Sequence, residues 1–372
     1  MLRFLTAGES HGRALIATVE GLPAGIPIDD DYINVQMARR MHGYGRGGRM
    51  KIETDTAELM SGVIRGATIG SPVAFFIGNR DWRKDEPDVT RPRPGHTDLV
   101  GALKYGFDDV RRVLERSSAR ETAARVAAGA ICRKLLEEFG VTIMSHVTEI
   151  GGEAIRARPE RFEEIPALAE ASAVRCVDAE ASDRMRAAIK AAGQDSDTLG
   201  GIFEVWVFDP LPGLGSHVSG DARLDGRTGQ AMLGVQAIKG VEIGAGFELG
   251  RIRGSAAHDE IFWSEDRGYH RRTNRSGGLE GGMTHGAPLV VRAAMKPIAT
   301  LSRPLASVDV QSKEATAAFK ERSDICAVPA AAVIGEAVIA FVLAQALIDK
   351  FGGDSIASLD AAVDRYRAVL AQ

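Results

Sequence analysis

An arginine-rich segment from residue 91 to residue 125 contains the side chains best suited to chemistry in this chain. Within it, a proline-glycine turn is followed by His96, an imidazole that can change its charge near neutral pH. The segment continues to Ser118 and Glu121, which have the S-x-x-E spacing of a helix capping box. Because free N–H groups at a helix start favour an anion, the sequence predicts a phosphate-binding loop beside a proton donor.

A second candidate is GESHG near the N-terminus, which places Ser10 and His11 between glycines. Residues 2–6 and 14–20 on either side are predicted strands, so the motif is expected to form a tight turn. A histidine there can act as a general acid or base, and an ordinary polar turn is the alternative. A Ser–His nucleophile pair is not favoured, since neighbours on one turn rarely face each other.

Two loops combine arginine with glycine. Residues 39–49, which include Arg40, Arg46 and Arg49, are expected to fold over a polyanionic small molecule. Solvated surface arginines and single-stranded RNA binding are the alternatives for this loop. Residues 275–282, RSGGLEGG, have paired glycines whose N–H groups can approach a ligand closely.

Polar residues also flank two predicted core elements. KPIAT, residues 296–300, ends a strand predicted over 287–297. Asp324 precedes a core helix predicted over 329–351, and it is interpreted either as a base or as the partner of Arg322 in an ion pair. The histidines and carboxylates lack the spacing of a metal site, so no metal is expected.

Composition limits the class of protein. The 372 residues are 45% hydrophobic, which is enough for a large core, and the formal net charge of −4 argues against general nucleic-acid binding. Three cysteines without C-x-x-C spacing indicate a reducing cytoplasm. The apolar run over 327–348 contains Glu336 near its middle, which favours a buried helix over a membrane span. We therefore expect a cytoplasmic protein that binds neither membrane nor nucleic acid.

The element order predicts an α+β fold. Helices are expected over 118–139, 228–239 and 329–351, and strands cluster apart from them rather than in regular βαβ units. No G-x-G-x-x-G motif follows a strand and opens a helix, so a dinucleotide-binding domain is not supported. With no linker composition, residues 1–372 are expected to form a single domain.

Taken in order, these motifs resemble the chorismate synthase family. GESHG, RPGHTD, ERSSARETAARVAAGA, RSGGLEGG, KPIAT and RSDICAVPAA lie within residues 1–340, nearly all of which the resemblance covers. It implies a β-α-β sandwich with long central helices between antiparallel sheets, assembled as a homotetramer. It also implies a lyase that removes phosphate from 5-enolpyruvylshikimate-3-phosphate by a 1,4-anti elimination to give chorismate. This last step of the shikimate pathway serves aromatic amino acid biosynthesis and needs reduced FMN. A non-catalytic flavin- or polyanion-binding protein on the same fold is the alternative.

The resemblance further implies roles for individual residues. His11 would be the general acid toward the leaving phosphate, and His96 would keep the reduced flavin in its usable protonation state. Asp324 would assist proton removal, and Ser10 would belong to the same hydrogen-bond network. The FMN-binding positions would be Arg116, Ser117, Ser118, Gln236, Ala237, Gly281, Lys296, Pro297, Ile298, Ala299, Thr300 and Arg322.

The same resemblance matches Arg40 and Arg46 to NADP positions, which we interpret as anion-binding arginines for NADP or substrate. Arg49 and Arg120 are expected to bind substrate. Because the sequence has no obvious reductase module, an external flavin reductase is the expected source of reduced FMN, with NADPH as the indirect reductant.

Overall fold

The computed structural model describes residues 1–48, 52–82, 86–156 and 162–370. Its α-helices are α1 Asp30–Met41, α2 Asp98–Tyr105, α3 Arg111–Ser117, α4 Thr122–Glu137, α5 Ile165–Ala171, α6 Ala179–Gln194, α7 Leu224–Leu233, α8 Gly254–Ala257, α9 Val328–Phe351 and α10 Ile356–Leu370. Its strands are β1 Arg3–Gly8, β2 Ala14–Glu20, β3 Glu58–Ser61, β4 Val63–Ile64, β5 Ala67–Thr68, β6 Val73–Gly78, β7 Thr142–Ile150, β8 Glu153–Ala154, β9 Gly201–Phe208, β10 Ile238–Ile243, β11 Ile261–Ser264, β12 Gly268–Arg271, β13 Leu279–Glu280, β14 Met283–Thr284, β15 Leu289–Met295, β16 Ala306–Val308 and β17 Ala315–Ala317.

Two antiparallel sheets form the outer layers. The first has the order β1–β2–β6–β3, and the second has the order β10–β15–β9–β7–β8. In β6, Val73, Phe75 and Ile77 are buried while Phe76 is exposed, so alternate residues face the core. The turn between β1 and β2 contains GESHG, as the sequence predicted.

The long helices α4 and α9 pack against each other between the two sheets. On one side α4 contacts β2 and β6, and on the other α9 contacts β7 and β9. Their approach requires a residue without a side chain, because a Cβ atom built on Gly129 would lie 2.5 Å from the Cβ atom of Ala337. The predicted α+β fold, with long helices between antiparallel sheets, is confirmed.

The helix α9 is long and apolar enough to cross a membrane, with a mean hydropathy of 2.2 in its most apolar window. However, 83% of that window is buried inside the protein. Glu336 near its middle accepts hydrogen bonds from Arg39 and Arg133, so its charge is neutralised internally. This is the arrangement of a core helix, as the sequence predicted.

The helix predicted over 228–239 is wrong in its bounds. The helix α7 ends at Leu233 with Gly234 as its C-cap, and the chain then turns through Ala237, whose φ of 67° is in the left-handed region. The residues from Ile238 onward join the second sheet as β10. Sheet pairing with β15 therefore overrides the helix propensity of the segment.

The capping box predicted from Ser118 and Glu121 is also wrong. Ser118 caps a short 3₁₀ turn, and its hydroxyl accepts from the N–H of Arg120. The carboxylate of Glu121 does not cap the helix start but accepts hydrogen bonds from the side chains of Thr6 and Gln236. The helix expected over 118–139 consequently begins at Thr122, after that turn.

Candidate functional site

A cavity of about 920 Å³ collects the motifs singled out in the sequence. It is lined by the GESHG turn, the loop after α1, the segment before α2, the α3–α4 connection, the end of β15 and the segment before α9. The first residues of α4 and α9, including Thr122 and Ala330, also line it. Two helix N-termini therefore face this space, and both favour a bound anion.

The wall of the cavity carries more cations than carboxylates among the described residues. The basic lining residues are Arg40, Arg46, Arg93, Arg111, Arg120, Lys239, Lys296, Lys320 and Arg322. The acidic lining residues are Glu53, Asp81, Glu86, Glu321 and Asp324. A site with this balance suits a ligand that carries several negative charges.

His11 lies buried at the GESHG turn with a carboxylate near each ring nitrogen. Its Nδ1 atom is 2.9 Å from Glu115 Oε1, and its Nε2 atom is 3.7 Å from Glu321 Oε1. His11 and Glu321 both line the cavity, so the Nε2 side of the ring lies toward the cavity. This geometry suits a histidine that exchanges a proton at Nε2.

His96 is held in a comparable way. Its Nδ1 atom lies 2.5 Å from Asp98 Oδ1, and Asp98 is fully buried. Arg93 donates from Nε to the same carboxylate and from Nη1 to Thr300 Oγ1. Burial would raise the pKa of Asp98, but hydrogen bonds from His96 and Arg93 outweigh this effect and hold that pKa well below its usual range. An ionised carboxylate therefore orients the His96 ring.

Asp324 fastens the loop after α1 to the segment before α9. Its Oδ1 atom accepts from the N–H of Gly47 at 2.6 Å, and its Oδ2 atom lies 3.3 Å from Arg46 Nη1. The ion pair with Arg322 that the sequence offered as one alternative is not the one formed, because Arg322 donates to Asp81 instead. Asp324 thus carries a charge into the cavity while holding Arg46 beside it.

Arg40 and Arg120 share one buried carboxylate. Arg40 Nη1 donates to one oxygen of Asp55, and Arg120 Nη1 donates to the other. Burial lowers the pKa of Arg40 to about 10, although the charge of Asp55 opposes that shift. These two arginines form part of the floor of the cavity.

One wall of the cavity is apolar, with a pair of lysines beside it. Lys296 donates to the carbonyl of Gly95 at 2.9 Å. The positive charge of Lys239 is close enough to repel that of Lys296. Burial and the charge of Lys239 together lower the pKa of Lys296. The apolar lining residues include Leu233, Val235, Ile298, Ala299 and Phe319. A flat apolar ring with an anionic group fits such a surface.

Most of the residues predicted for the site line this cavity. They are Ser10, His11, Arg40, Arg46, His96, Ser117, Ser118, Arg120, Gln236, Ala237, Lys296, Ile298, Ala299, Thr300, Arg322 and Asp324. Three other described residues, Arg116, Pro297 and Gly281, are not part of the lining. Arg116 donates to the carbonyls of Thr6 and Gly8, and the predicted Arg49 lies outside the described residues.

Comparisons with known proteins agree with this geometry. The sequence model of the family described as chorismate synthase matches residues 2–348. The chain belongs to the chorismate synthase family. It is 52% identical over 381 residues to the chorismate synthase of Desulforamulus reducens, covering 99% of this chain and 98% of that protein. It is 53% identical over 374 residues to the chorismate synthase of Aquifex aeolicus, covering 95% of this chain and 94% of that protein.

A solved structure described as a crystal structure of chorismate synthase has the same fold. The TM-score is 0.82 at 44% sequence identity, covering 98% of this chain and 97% of that one. Membership of the chorismate synthase family, which the motifs predicted, is confirmed, and the chain is a lyase with the reaction expected from its sequence.

Sequence reasoning within the chorismate synthase motifs missed two carboxylates that touch the histidines. Asp98 is two residues after His96 in RPGHTD, and this short spacing at a helix start could have indicated the contact. Glu115 opens the ERSSARE motif, but nothing in the local pattern relates it to His11. The pairing of Glu115 with His11 depends on the contact between α3 and the GESHG turn.

Proposed function

We propose that the cavity converts 5-enolpyruvylshikimate-3-phosphate to chorismate and phosphate. One observation carries the assignment of this cavity: His11 and His96, from separate motifs, line the same cation-rich space. The substrate carries two carboxylates and a phosphate, for which arginines provide planar, bidentate donors. Arg46 and Arg120, with Arg49 outside the described residues, are the arginines we assign to these anionic groups.

We assign His11 as the general acid for the departing phosphate. When the C–O bond breaks, its electron pair leaves with phosphate, and a proton from Nε2 neutralises part of the new charge. The nearby Arg93 and Arg111 lower the energy of that charge as it develops. Ser10 precedes His11 on the same turn and lines the cavity, so it extends the hydrogen-bond network.

His96 and Asp324 are assigned to the proton transfers that accompany the elimination. We assign His96, fixed by Asp98, to hold a proton on the side of the cavity that contains Lys296 and Thr300. Asp324, which lies 3.3 Å from Arg46, is assigned to assist removal of the substrate proton. Positioning and electrostatic stabilisation are the contributions of the chain itself.

The lining fits reduced FMN. The apolar wall around Ile298 and Ala299 suits a flavin ring, and Lys296 and Arg322 supply positive charge for its phosphate. The cavity volume is at the upper end of the range of roughly 300–1,000 Å³ found for small-molecule sites. When bound, reduced flavin supplies an electron transiently, and this chemistry belongs to the cofactor. We further propose that an external reductase, with NADPH as the ultimate donor, provides it.

We also propose that the chain acts as a cytoplasmic homotetramer built from single-domain subunits. The outer face of the first sheet supports assembly, because Leu5, Ile16 and Phe76 on neighbouring strands are exposed there. An apolar sheet face of this kind is typical of a protein–protein contact. Light scattering of the purified protein measures the mass directly.

The reaction is tested by an anaerobic assay with photoreduced FMN and 5-enolpyruvylshikimate-3-phosphate, in which chorismate and phosphate are followed together. We expect equal amounts of both products and no turnover with oxidised FMN. Replacing photoreduction by NADPH then tests whether a separate reductase is required. Bound flavin without product would favour the non-catalytic flavin-binding alternative.

A further inference from the structure

Glu115 fastens the GESHG turn to α3 through three hydrogen bonds. Its backbone carbonyl accepts from the N–H of Ser10 at 2.9 Å. Its Oε2 atom accepts from the N–H of His11 at 2.7 Å, and its Oε1 atom lies 2.9 Å from His11 Nδ1. The Glu115 side chain is 13% exposed and is not part of the cavity lining, so it acts on the cavity through the lining residues that it contacts, His11 and Arg111.

The charge state of Glu115 determines which nitrogen of His11 keeps its proton. Burial would raise the pKa of Glu115, but hydrogen bonds from His11 and the charge of Arg111 outweigh it and leave that pKa below its usual value. The carboxylate is therefore ionised at neutral pH and can only accept hydrogen bonds. It follows that Nδ1 carries a proton, and Nε2 is the nitrogen that gains or loses one.

We infer that Glu115 is a positioning residue for His11. It fixes the tautomer with the proton on Nδ1, turns Nε2 toward the cavity and stabilises the imidazolium. The role of His11 as an acid rests on the proposed function, whereas the tautomer and the stabilised charge do not. When Nε2 gives its proton to a phosphate oxygen, the ring stays neutral with Nδ1–H in place. The next proton therefore returns to the same atom.

The groups around His11 are consistent with a retained proton on Nδ1 and an exchanged proton on Nε2. Glu321 belongs to the segment before α9, and its Oε1 atom lies 3.7 Å from His11 Nε2. Its Oε2 atom lies 4.0 Å from Arg93 Nη1. Arg111 Nη1 donates at 3.2 Å to Glu115 Oε1, the same oxygen that lies beside His11 Nδ1. Glu115 makes direct hydrogen bonds with the histidine, whereas Glu321 lies beyond hydrogen-bond distance of Nε2.

The substitution Glu115→Gln tests the inference, because it retains the size and one acceptor oxygen but removes the charge. Side-chain ¹⁵N spectra of protein labelled at histidine report tautomer and pKa directly, and His11→Gln identifies the signal. We expect the imidazolium form of His11 to become less stable relative to the neutral ring in this variant, and the tautomer with Nε2–H to appear. We also expect kcat to fall about tenfold with little change in KM, and its alkaline limb to move to lower pH.

Glu115→Asp and Glu138→Gln complete the design. The aspartate variant keeps the charge but withdraws it from the ring, so its His11 pKa should lie between those of the wild type and the glutamine variant. Glu138 pairs with Lys134 at 3.0 Å away from the cavity, and its substitution should leave the His11 signal unchanged.

Two outcomes separate the inference from the proposed function. If the glutamine and aspartate variants retain the wild-type tautomer and pKa of His11, the positioning role is wrong, whatever their activity. If these spectra change as expected but the wild type forms no chorismate, the positioning role stands and the proposed function fails.

Discussion

Arg40 and Asp55 form an ion pair in the floor of the cavity, with Nη1 2.8 Å from Oδ2. The other nitrogens of Arg40 donate to Thr122 Oγ1 and to the carbonyl of Ala119 at the start of α4. Each guanidinium nitrogen therefore has an acceptor within the protein. Together with Arg120 on the second oxygen of Asp55, the pair fixes the first turn of α4 against the loop after α1.

Asp55→Asn should destabilise the protein strongly, because it leaves two buried guanidinium groups without their shared counter-charge. We expect the free energy of unfolding at pH 7 to fall by about 3–5 kcal/mol, measured by urea denaturation. The matched control is Asp349→Asn, which removes a half-exposed partner of Arg227 and should cost less than about 1 kcal/mol. Equal effects in the two variants would contradict the structural role of Asp55.

A second buried cluster surrounds Glu336 in the middle of α9. Arg39 and Arg133 each place a nitrogen 2.6 Å from Glu336 Oε2, and Ser145 donates to Oε1. Burial would raise the pKa of Glu336, but the charges of the arginines lower it to about 2. Because a glutamate in the unfolded chain has a pKa of about 4.3, the folded state resists protonation of this group. Its contribution to stability is therefore complete above about pH 4.3 and is lost as the pH falls toward 2.

Glu336→Gln tests that contribution through the pH dependence of unfolding. We expect a loss of about 3–5 kcal/mol at pH 7, since the arginines keep their charge without a counter-charge. We also expect the free energy of unfolding to vary less steeply between about pH 4.5 and pH 2 than in the wild type. Glu138→Gln, which removes a surface charge near Lys134, should leave that slope unchanged. A wild-type slope in the Glu336 variant would show that other carboxylates determine acid unfolding.

The sequence predicted the positions of site residues better than their partners. GESHG, RPGH and KPIAT lie at turns and strand ends, where local pattern is informative, and the structure places His11, His96 and Lys296 in one cavity. The contact between His11 and Glu115 joins residues 104 positions apart, and local spacing carries no information about it. Charge partners of this kind follow from tertiary packing, which the motifs alone do not determine.

The fold was predictable to a similar degree. Helical and alternating patterns predicted an α+β fold, because periodicity reports which face is buried, whereas the layering of helices between sheets was implied by the resemblance to the family. The segment after α7 was mistaken for helix since its residues favour that state, whereas pairing with β15 makes it a strand from Ile238 to Ile243. The short helices α2 and α3 were missed because the turn and arginine signals around them dominate the pattern.

Gly129→Ala should disrupt the contact between α4 and α9. The new methyl group would lie 2.5 Å from Ala337 Cβ and near its backbone, which cannot move without shifting α9. We expect a loss of about 1–3 kcal/mol in the free energy of unfolding, as for other overpacked cores. Gly229→Ala on α7 is the matched control, because no atom lies within 4 Å of the added methyl group. Helix propensity alone should stabilise that variant by about 0.5–1 kcal/mol, so the two substitutions are expected to act in opposite directions.

His96→Ala should separate flavin binding from turnover. The ring is held by Asp98 and Arg93 rather than by the apolar wall around Ile298, so its removal leaves the surface assigned to the flavin in place. We expect the affinity for FMN, measured by fluorescence quenching, to change by less than about threefold, well under 1 kcal/mol. Turnover should fall about 10²–10⁴-fold, the usual effect of losing a positioned proton-transfer group.

The control for this substitution is His258→Ala, since His258 is an exposed histidine that does not line the cavity. It should retain wild-type turnover and wild-type FMN affinity. Normal turnover in His96→Ala would remove this residue from the proposed chemistry. A large loss of FMN affinity would instead make it a binding residue, because a group that acts only on a proton should affect the rate and leave the affinity nearly unchanged.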